Sequence, residues 1–373
     1  MSTSNARMRV ILIAMAIVVV VIVGIIGSYK KSGNRVENSA ELRDPDKPTV
    51  KIGIIYPLSG DVGHMGQAAK IGINMFEEEL KKLYTKYNYQ ISIEDNQLQA
   101  PRSVMIAKKM IEVDKVDVII TIGSNIGNAI SPLTQRAKVL HFSISSDENV
   151  STGEYNFLAA TPNNKMIEKF ISELEKHNLK NIALVTQNQA AMLAYDREFM
   201  ATDKDIKVLS HNYINPGDRD YRLLIYKILA DKPDAVVPLV YIPEITIFVK
   251  QLKDAKPDVI VANLESLSYP EDKSLFNGYW FIDGAVPNAQ FIDKFKSIKG
   301  DDGYDYMPYM YASLEVLRDS LEKIGNNKDE VIKYILDNQF ETVLNTITFD
   351  KSGIMQTPAS VRMIKDGVPV VLE

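Results

Sequence analysis

Small polar residues gather at three points along this chain, each directly after a short apolar run. Ser59 and Gly60 open a glycine-rich loop that reaches Gly66. Ser124 and Asn125 follow Gly123, and Ser145, Ser146 and Asp147 follow Ile144. Hydroxyls, amides and backbone N–H groups grouped in this way leave room for a ligand and offer it hydrogen bonds. His64 lies in the first loop, where a ring can face a cleft, although a lone histidine is also a common packing residue. The chemistry these residues suit is recognition. Neither a G-x-S-x-G elbow nor H-E-x-x-H occurs, and no signature of paired catalytic carboxylates stands out. Gly60, Gly63 and Gly66 do not form G-x-G-x-x-G, and no G-K-[ST] follows, so a nucleotide fits poorly. The histidines show no metal spacing and cysteine is absent, which removes thiolate metal sites, disulfides and a cysteine nucleophile. No cofactor and no metal is expected.

The elements that must carry these loops alternate. Val50–Tyr56 is a strand of branched apolar residues, and Ala69, Ile73, Phe76, Leu80 and Leu83 then recur at helical spacing. Strands are predicted at Gln90–Asp95, Val116–Ile122 and Val139–Ser143, with helices between them. After Thr161-Pro162-Asn163-Asn164 the pattern restarts, with strands at Asn181–Thr186, Asp234–Val237, Asp258–Ala262 and Asn277–Ile282. Helices at Ala289–Ile298, Met307–Ile324 and Asp329–Asp337 precede short terminal strands at Thr346–Phe349, Ser360–Lys365 and Val368–Leu372. Such alternation predicts parallel β-α units in two α/β lobes. In such sheets ligands bind beyond the carboxyl ends of the strands, where the polar loops lie.

The chain has 373 residues and a formal net charge of -5, long enough for two lobes and a poor match to nucleic acid. Val10 to Gly27 is apolar and uncharged, with Arg7 and Arg9 before it and Lys30, Lys31 and Arg35 after. At ~1.5 Å per residue it just reaches across a bilayer core of ~30 Å, and it lacks a small-x-small cleavage site. We read residues 1–28 as a transmembrane anchor or uncleaved signal; a cleaved signal peptide is the alternative. Residues 29–48 read as a flexible polar linker.

Four stretches resemble type I periplasmic solute-binding proteins, the branched-chain amino acid and amide receptors of ABC transporters. They are Ile52-Gly53-Ile54-Ile55-Tyr56-Pro57-Leu58-Ser59-Gly60 with its following helix, Ser143-Ile144-Ser145-Ser146, Tyr309-Met310-Tyr311-Ala312-Ser313-Leu314, and Ile347-Thr348-Phe349-Asp350-Lys351-Ser352-Gly353 before Val361–Gly367. The resemblance implies two Rossmann-like lobes joined by three crossovers near Thr161, Gly284 and Thr346, with ligand closing the cleft. Lobe 1 would then be 49–161 plus 284–345, and lobe 2 162–283 plus 346–373. It implies a non-enzymatic, extracytoplasmic receptor with monomeric lobes, tethered by the N-terminal helix, which passes a small-molecule ligand to an ABC permease. A ligand-sensing regulator acting through a partner is the alternative.

The resemblance also assigns roles. An amino acid's carboxylate would lie at the loop after Gly123, with Asn125, and at Ser145, Ser146 and Asp147. Asp147 stands where a threonine is usual and Gly127 near a usual serine; an aspartate facing the cleft would repel an anion, unless it caps a turn instead. Glu265 falls on the position of the ammonium partner, and as a loop glutamate its replacement would not disturb the fold. Tyr241 matches a ligand-packing tyrosine. Gln187 lines the equivalent second-lobe loop, but Ala191 and Met192 replace the usual aromatic and glycine. Ser59 and His64 complete the expected ligand-binding set. The ligand so implied is a small amine-bearing solute: an amino acid, amide or short peptide.

Overall fold

The structure, a computed structural model, describes residues 44–301 and 303–372. The first lobe begins with β1 (Thr49–Tyr56), α1 (Gly63–Leu80), β2 (Asn88–Asp95), α2 (Ala100–Lys109), β3 (Val118–Ile122), α3 (Ser124–Ala137), β4 (Leu140–Ile144) and β5 (Asn156–Leu158). The strands form one parallel sheet in the order β2-β1-β3-β4-β5. Side chains alternate across a strand, and here both faces are apolar. Ile52, Ile54 and Tyr56 join Ile120 on the face covered by α1, while Ile55 and Ile119 pack on the other with Met110 and Ile130. That two-sided burial accounts for the unbroken apolar runs in the sequence.

The second lobe repeats the plan with α4 (Asn163–Lys176), β6 (Asn181–Gln187), α5 (Ala190–Ala201), β7 (Lys207–Ile214), α6 (Arg222–Ala230), β8 (Ala235–Leu239), α7 (Glu244–Ala255), β9 (Asn263–Leu264) and β10 (Trp280–Asp283). Ile182 and Leu184 face one apolar layer, Ala183 and Val185 the other. Strands β7-β6-β8 are parallel. The strand expected at Asp258–Ala262 contributes only a bridge from Val261 to Val236, and the paired strand lies at β9. Ile260 is exposed there while Val259 and Val261 are buried, so the segment is extended without a full ladder.

The chain then returns to the first lobe through α8 (Ala289–Lys299), α9 (Met307–Ile324) and α10 (Lys328–Asp337), followed by β11 (Gln339–Thr342), β12 (Asn345–Phe349) and β13 (Met355–Gln356). The third crossover lies later than the expected position near Thr346. Ile347, Phe349 and Met355 sit in the first-lobe core, with the Phe349 ring edge-on to Phe142 and Phe157 at 6.2 and 5.4 Å. The chain crosses at 357–359, and β14 (Ser360–Lys365) and β15 (Val368–Val371) then extend the second-lobe sheet beside β10. The hydrophobic contact of Phe349, invisible in a turn-based boundary, sets the difference.

The three crossovers meet at the Thr161 hydroxyl, which bonds Tyr309, Ala285 and Thr357. Tyr309 of α9 accepts the Ala285 N–H at 2.7 Å and lies 2.7 Å from the Thr161 hydroxyl, which is itself 2.8 Å from that of Thr357. Gly284 passes so close that a Cβ there would stand 2.0 Å from the Tyr309 oxygen. Among the described residues no helix is long and apolar enough to cross a membrane. The apolar run Val10–Gly27 and linker residues 29–43 lie outside the described residues.

Gly284→Ala is expected to cost about 1–3 kcal/mol, the range for overpacking a filled site. Adding Tyr309→Phe removes the obstructing oxygen, so the double variant should lose less than the sum of the singles. Urea unfolding of the four proteins checks this; additive losses would show that the phenol is not what demands glycine.

Candidate functional site

A cavity of about 250 Å³ lies between the lobes at the carboxyl ends of their strands. On the first-lobe side, Gly123 adopts a positive φ of 98° and turns β3 into α3. Ser124 and Asn125, the first residues of that helix, line the cavity, where first-turn N–H groups have no intrahelical acceptor. The Ser124 oxygen accepts the N–H groups of Ser146 and Asp147 at 3.1 and 3.2 Å, which leaves its own proton to donate. Ser145 lines the same wall, 2.6 Å from the hydroxyl of Ser143. Beneath it, His141 is bonded to Thr121 and Asn156, and burial pushes its imidazole down to about 4, so it is a neutral part of the core. Gly127 cannot be the usual serine, since a Cβ there would lie 2.3 Å from the Ser143 oxygen.

On the second-lobe side Gln187 is held at both ends of its amide. Its carbonyl accepts the Tyr241 N–H at 2.9 Å and its amide donates to Glu244 at 3.2 Å. Glu244 also takes the Gly217 N–H and the Arg219 guanidinium, so its charge is matched. Tyr241 packs against Tyr269 with ring centroids 4.5 Å apart, the rings tilted by 46°, and hydroxyls 2.9 Å apart.

Glu265 is the centre of the site. It is 3% exposed, with a positive φ of 40° just before the turn Ser266–Ser268. Tyr269 and Ser146 donate to Oε1 at 2.7 and 3.2 Å, and Tyr195 and Tyr306 to Oε2 at 2.9 and 3.2 Å. None of these partners is a cation. Burial raises its titration point, with the proximity of Asp283 adding to the rise, while the hydrogen bonds from Tyr269, Tyr195 and Tyr306 pull it back. Ser146 and Tyr306 belong to the first lobe, so two of the four bonds cross the cleft.

Of the residues expected from sequence, Asn125, Ser145, Ser146, Gln187, Tyr241 and Glu265 line the cavity together. Ser59, His64 and Asp147 do not. The Ser59 hydroxyl donates to Asp95 at 2.6 Å, fixing the loop after β1. Val62 and Met65 turn toward the cavity, and His64, between them on the helix, points to Asp305 at 3.9 Å. Asp147 caps the turn at 148–151 through the Asn149 N–H, accepts from Asn128 at 2.8 Å, and meets Arg197 of the second lobe at 3.4 Å. Its negative charge is thus spent outside the ligand space. Tyr195 and Tyr269 lie outside the set expected from sequence, and Tyr306 belongs to a run of tyrosines, 304–309, of which the resemblance places one near the cleft and packing between helices is the alternative. Tyr269 follows Glu265 by four residues, a readable signal; Tyr195 and Tyr306 meet it only through the fold.

The expectation that replacing Glu265 would leave the fold undisturbed is corrected by its burial. Because the folded chain holds this proton more tightly than the unfolded one, its contribution favours folding at low pH and is lost as pH rises through the raised value. Glu265→Gln should therefore flatten the fall in unliganded stability on going from about pH 4.5 upward, where free glutamate titrates. Denaturant midpoints of both proteins across that window test it; parallel curves would count against a charged, buried Glu265.

Residues 49–368 match the family model described as Periplasmic binding protein. The leucine-, isoleucine-, valine-, threonine- and alanine-binding protein of Pseudomonas aeruginosa is 24% identical over 331 residues, 82% of this chain and 87% of that protein. Among solved structures, the branched-chain amino acid transporter substrate binding protein of Streptococcus pneumoniae, in complex with isoleucine, superposes with a TM-score of 0.76 at 16% identity, over 87% of this chain and 99% of that one. A solute binding protein of an R. palustris ABC transporter, in complex with benzoate, gives 0.74 at 16% identity, over 87% of this chain and 95% of that one.

Proposed function

The chain belongs to the periplasmic binding protein family, a family of solute receptors and not of enzymes, and from that premise we propose that it captures a small amine-bearing solute in its inter-lobe cleft for delivery to an ABC permease. The amine would lie at Glu265. The carboxylate or amide oxygen of an amino acid, amide or short peptide would take the α3 N-terminus, Ser124, Asn125 and Ser145. One observation carries the reading: Glu265 is a buried carboxylate on the cavity whose hydrogen-bond partners are all hydroxyls, so its charge has no cationic match. Among the described residues no Lys, Arg or His lines the cavity. A plain anion such as benzoate would bring a second negative charge without a partner. The apolar walls from Met65, Ile122, Ile126 and Ile144 suit a hydrocarbon body.

The receptor would work on the extracytoplasmic face. Val10 to Gly27, as a membrane anchor, would hold it there on the linker that follows. Closure brings Ser146 and Tyr306 onto Glu265 and Asp147 onto Arg197, so ligand and lobe contacts meet at the same residues.

Calorimetric titration of the full-length protein with a panel of branched-chain amino acids, their amides, dipeptides and benzoate tests this. An amine-bearing member should bind, and Glu265→Gln should weaken it by about 1.5–3 kcal/mol, the range for a hydrogen bond or ion contact to a charged group. Preference for benzoate, with equal affinity in the variant, would overturn the assignment.

A further inference from the structure

Resting on the amine reading above, we propose that the cleft selects a fully substituted, quaternary ammonium over the primary amine of the same body. The argument begins with the acceptor capacity of Glu265. An ionised carboxylate offers about four lone-pair sites, and four hydroxyls already occupy this one: Tyr269 and Ser146 on Oε1, Tyr195 and Tyr306 on Oε2, at 2.7 to 3.2 Å. Each hydroxyl has one proton to give. Tyr241, 2.9 Å from the Tyr269 oxygen, has a proton available for it, which leaves the Tyr269 proton for the carboxylate. The other carboxylate on the cavity, Glu244, differs in that its charge is already matched by the Arg219 guanidinium, with Gln187 and Gly217 donating to it as well.

A primary ammonium carries three N–H donors into a site where they need acceptors. To bond Glu265 it must evict a hydroxyl, and a buried phenol left without a partner costs the desolvation of that group. A quaternary ammonium has no N–H. It needs only a nearby negative charge and polarisable surface, and aromatic rings supply the latter. Both are present. The negative charge of Glu265 persists whatever bonds it accepts, and tyrosine rings line the cavity in sequence. Tyr241 to Tyr269 is 4.5 Å between centroids, Tyr269 to Tyr306 is 5.6 Å, and Tyr306 to Tyr309 is 6.4 Å.

Titration of the full-length protein with L-leucine, its N,N,N-trimethyl form and tetramethylammonium tests the proposal. The trimethyl form should bind at least about tenfold more tightly than leucine, as expected where one cation satisfies its surroundings and the other loses a buried hydrogen bond. Equal or tighter binding of leucine would overturn the proposal and leave the amine reading standing. Binding of neither trimethylleucine nor tetramethylammonium would overturn it as well, and binding of benzoate with no amine at all would sink both readings. Tyr306→Phe keeps the ring and frees one acceptor position on Oε2. In that variant leucine should gain about fivefold or more while the trimethyl form stays within about twofold. An unchanged ratio between the two ligands, in a variant that melts cooperatively, would show that the filled carboxylate does not set the preference.

Discussion

Burying an ionised carboxylate without a cation is expensive, and a protein holds one only where hydrogen-bond donors replace the lost water. Glu265 meets that condition with four hydroxyls drawn from both lobes. Tyr195 comes from α5, Tyr269 from the turn after β9, Ser146 from the loop after β4, and Tyr306 from the start of α9. Each must be placed to within a hydrogen-bond length, so the two sheets, the helices that cover them and the relative position of the lobes all bear on one side chain. The remaining charge on the cavity wall, Glu244, is matched by Arg219, which leaves Glu265 as the feature that gives the cleft its sign.

The first-lobe wall rests on a different constraint. The carboxyl ends of β3 and β4 lie side by side, since Ile122 pairs with Ile144. That register brings Gly123-Ser124-Asn125 next to Ser145-Ser146, and Ser124 then bonds the backbone of the adjoining loop. Below the wall a buried polar ladder of Thr121, His141, Ser143 and Asn156 is bonded internally and reaches the wall through Ser143, 2.6 Å from the Ser145 hydroxyl, which fixes the loop geometry. The Thr161 hydroxyl bonds all three crossovers, through Tyr309 and Ala285 on one side and Thr357 on the other.

Much of this architecture was legible in the chain. Runs such as Val118–Ile122, apolar at every position, are what a parallel sheet covered on both faces requires. Polar residues placed at the ends of such runs mark the side where a ligand lies. Six of the nine residues expected to bind ligand line the cavity on that basis and on the family resemblance. Ser59, His64 and Asp147 share the same loops but aim elsewhere, because a side chain's direction follows its own local partners: Asp95, the start of α9 and the turn at 148–151.

By itself the sequence determined the alternation of strand and helix, the two α/β lobes, and the edge of the sheets at which polar loops collect. These follow from periodicity and from residue types within a few positions of one another. Only the tertiary structure decided that the third crossover lies at 357–359, because Phe349 joins a core formed with Phe142 and Phe157. It alone decided that Glu265 is buried, since Tyr195 stands 70 residues away in the chain and Ser146 stands 119. Burial and charge compensation depend on groups brought together through space, and no local pattern records which distant hydroxyls a carboxylate will meet.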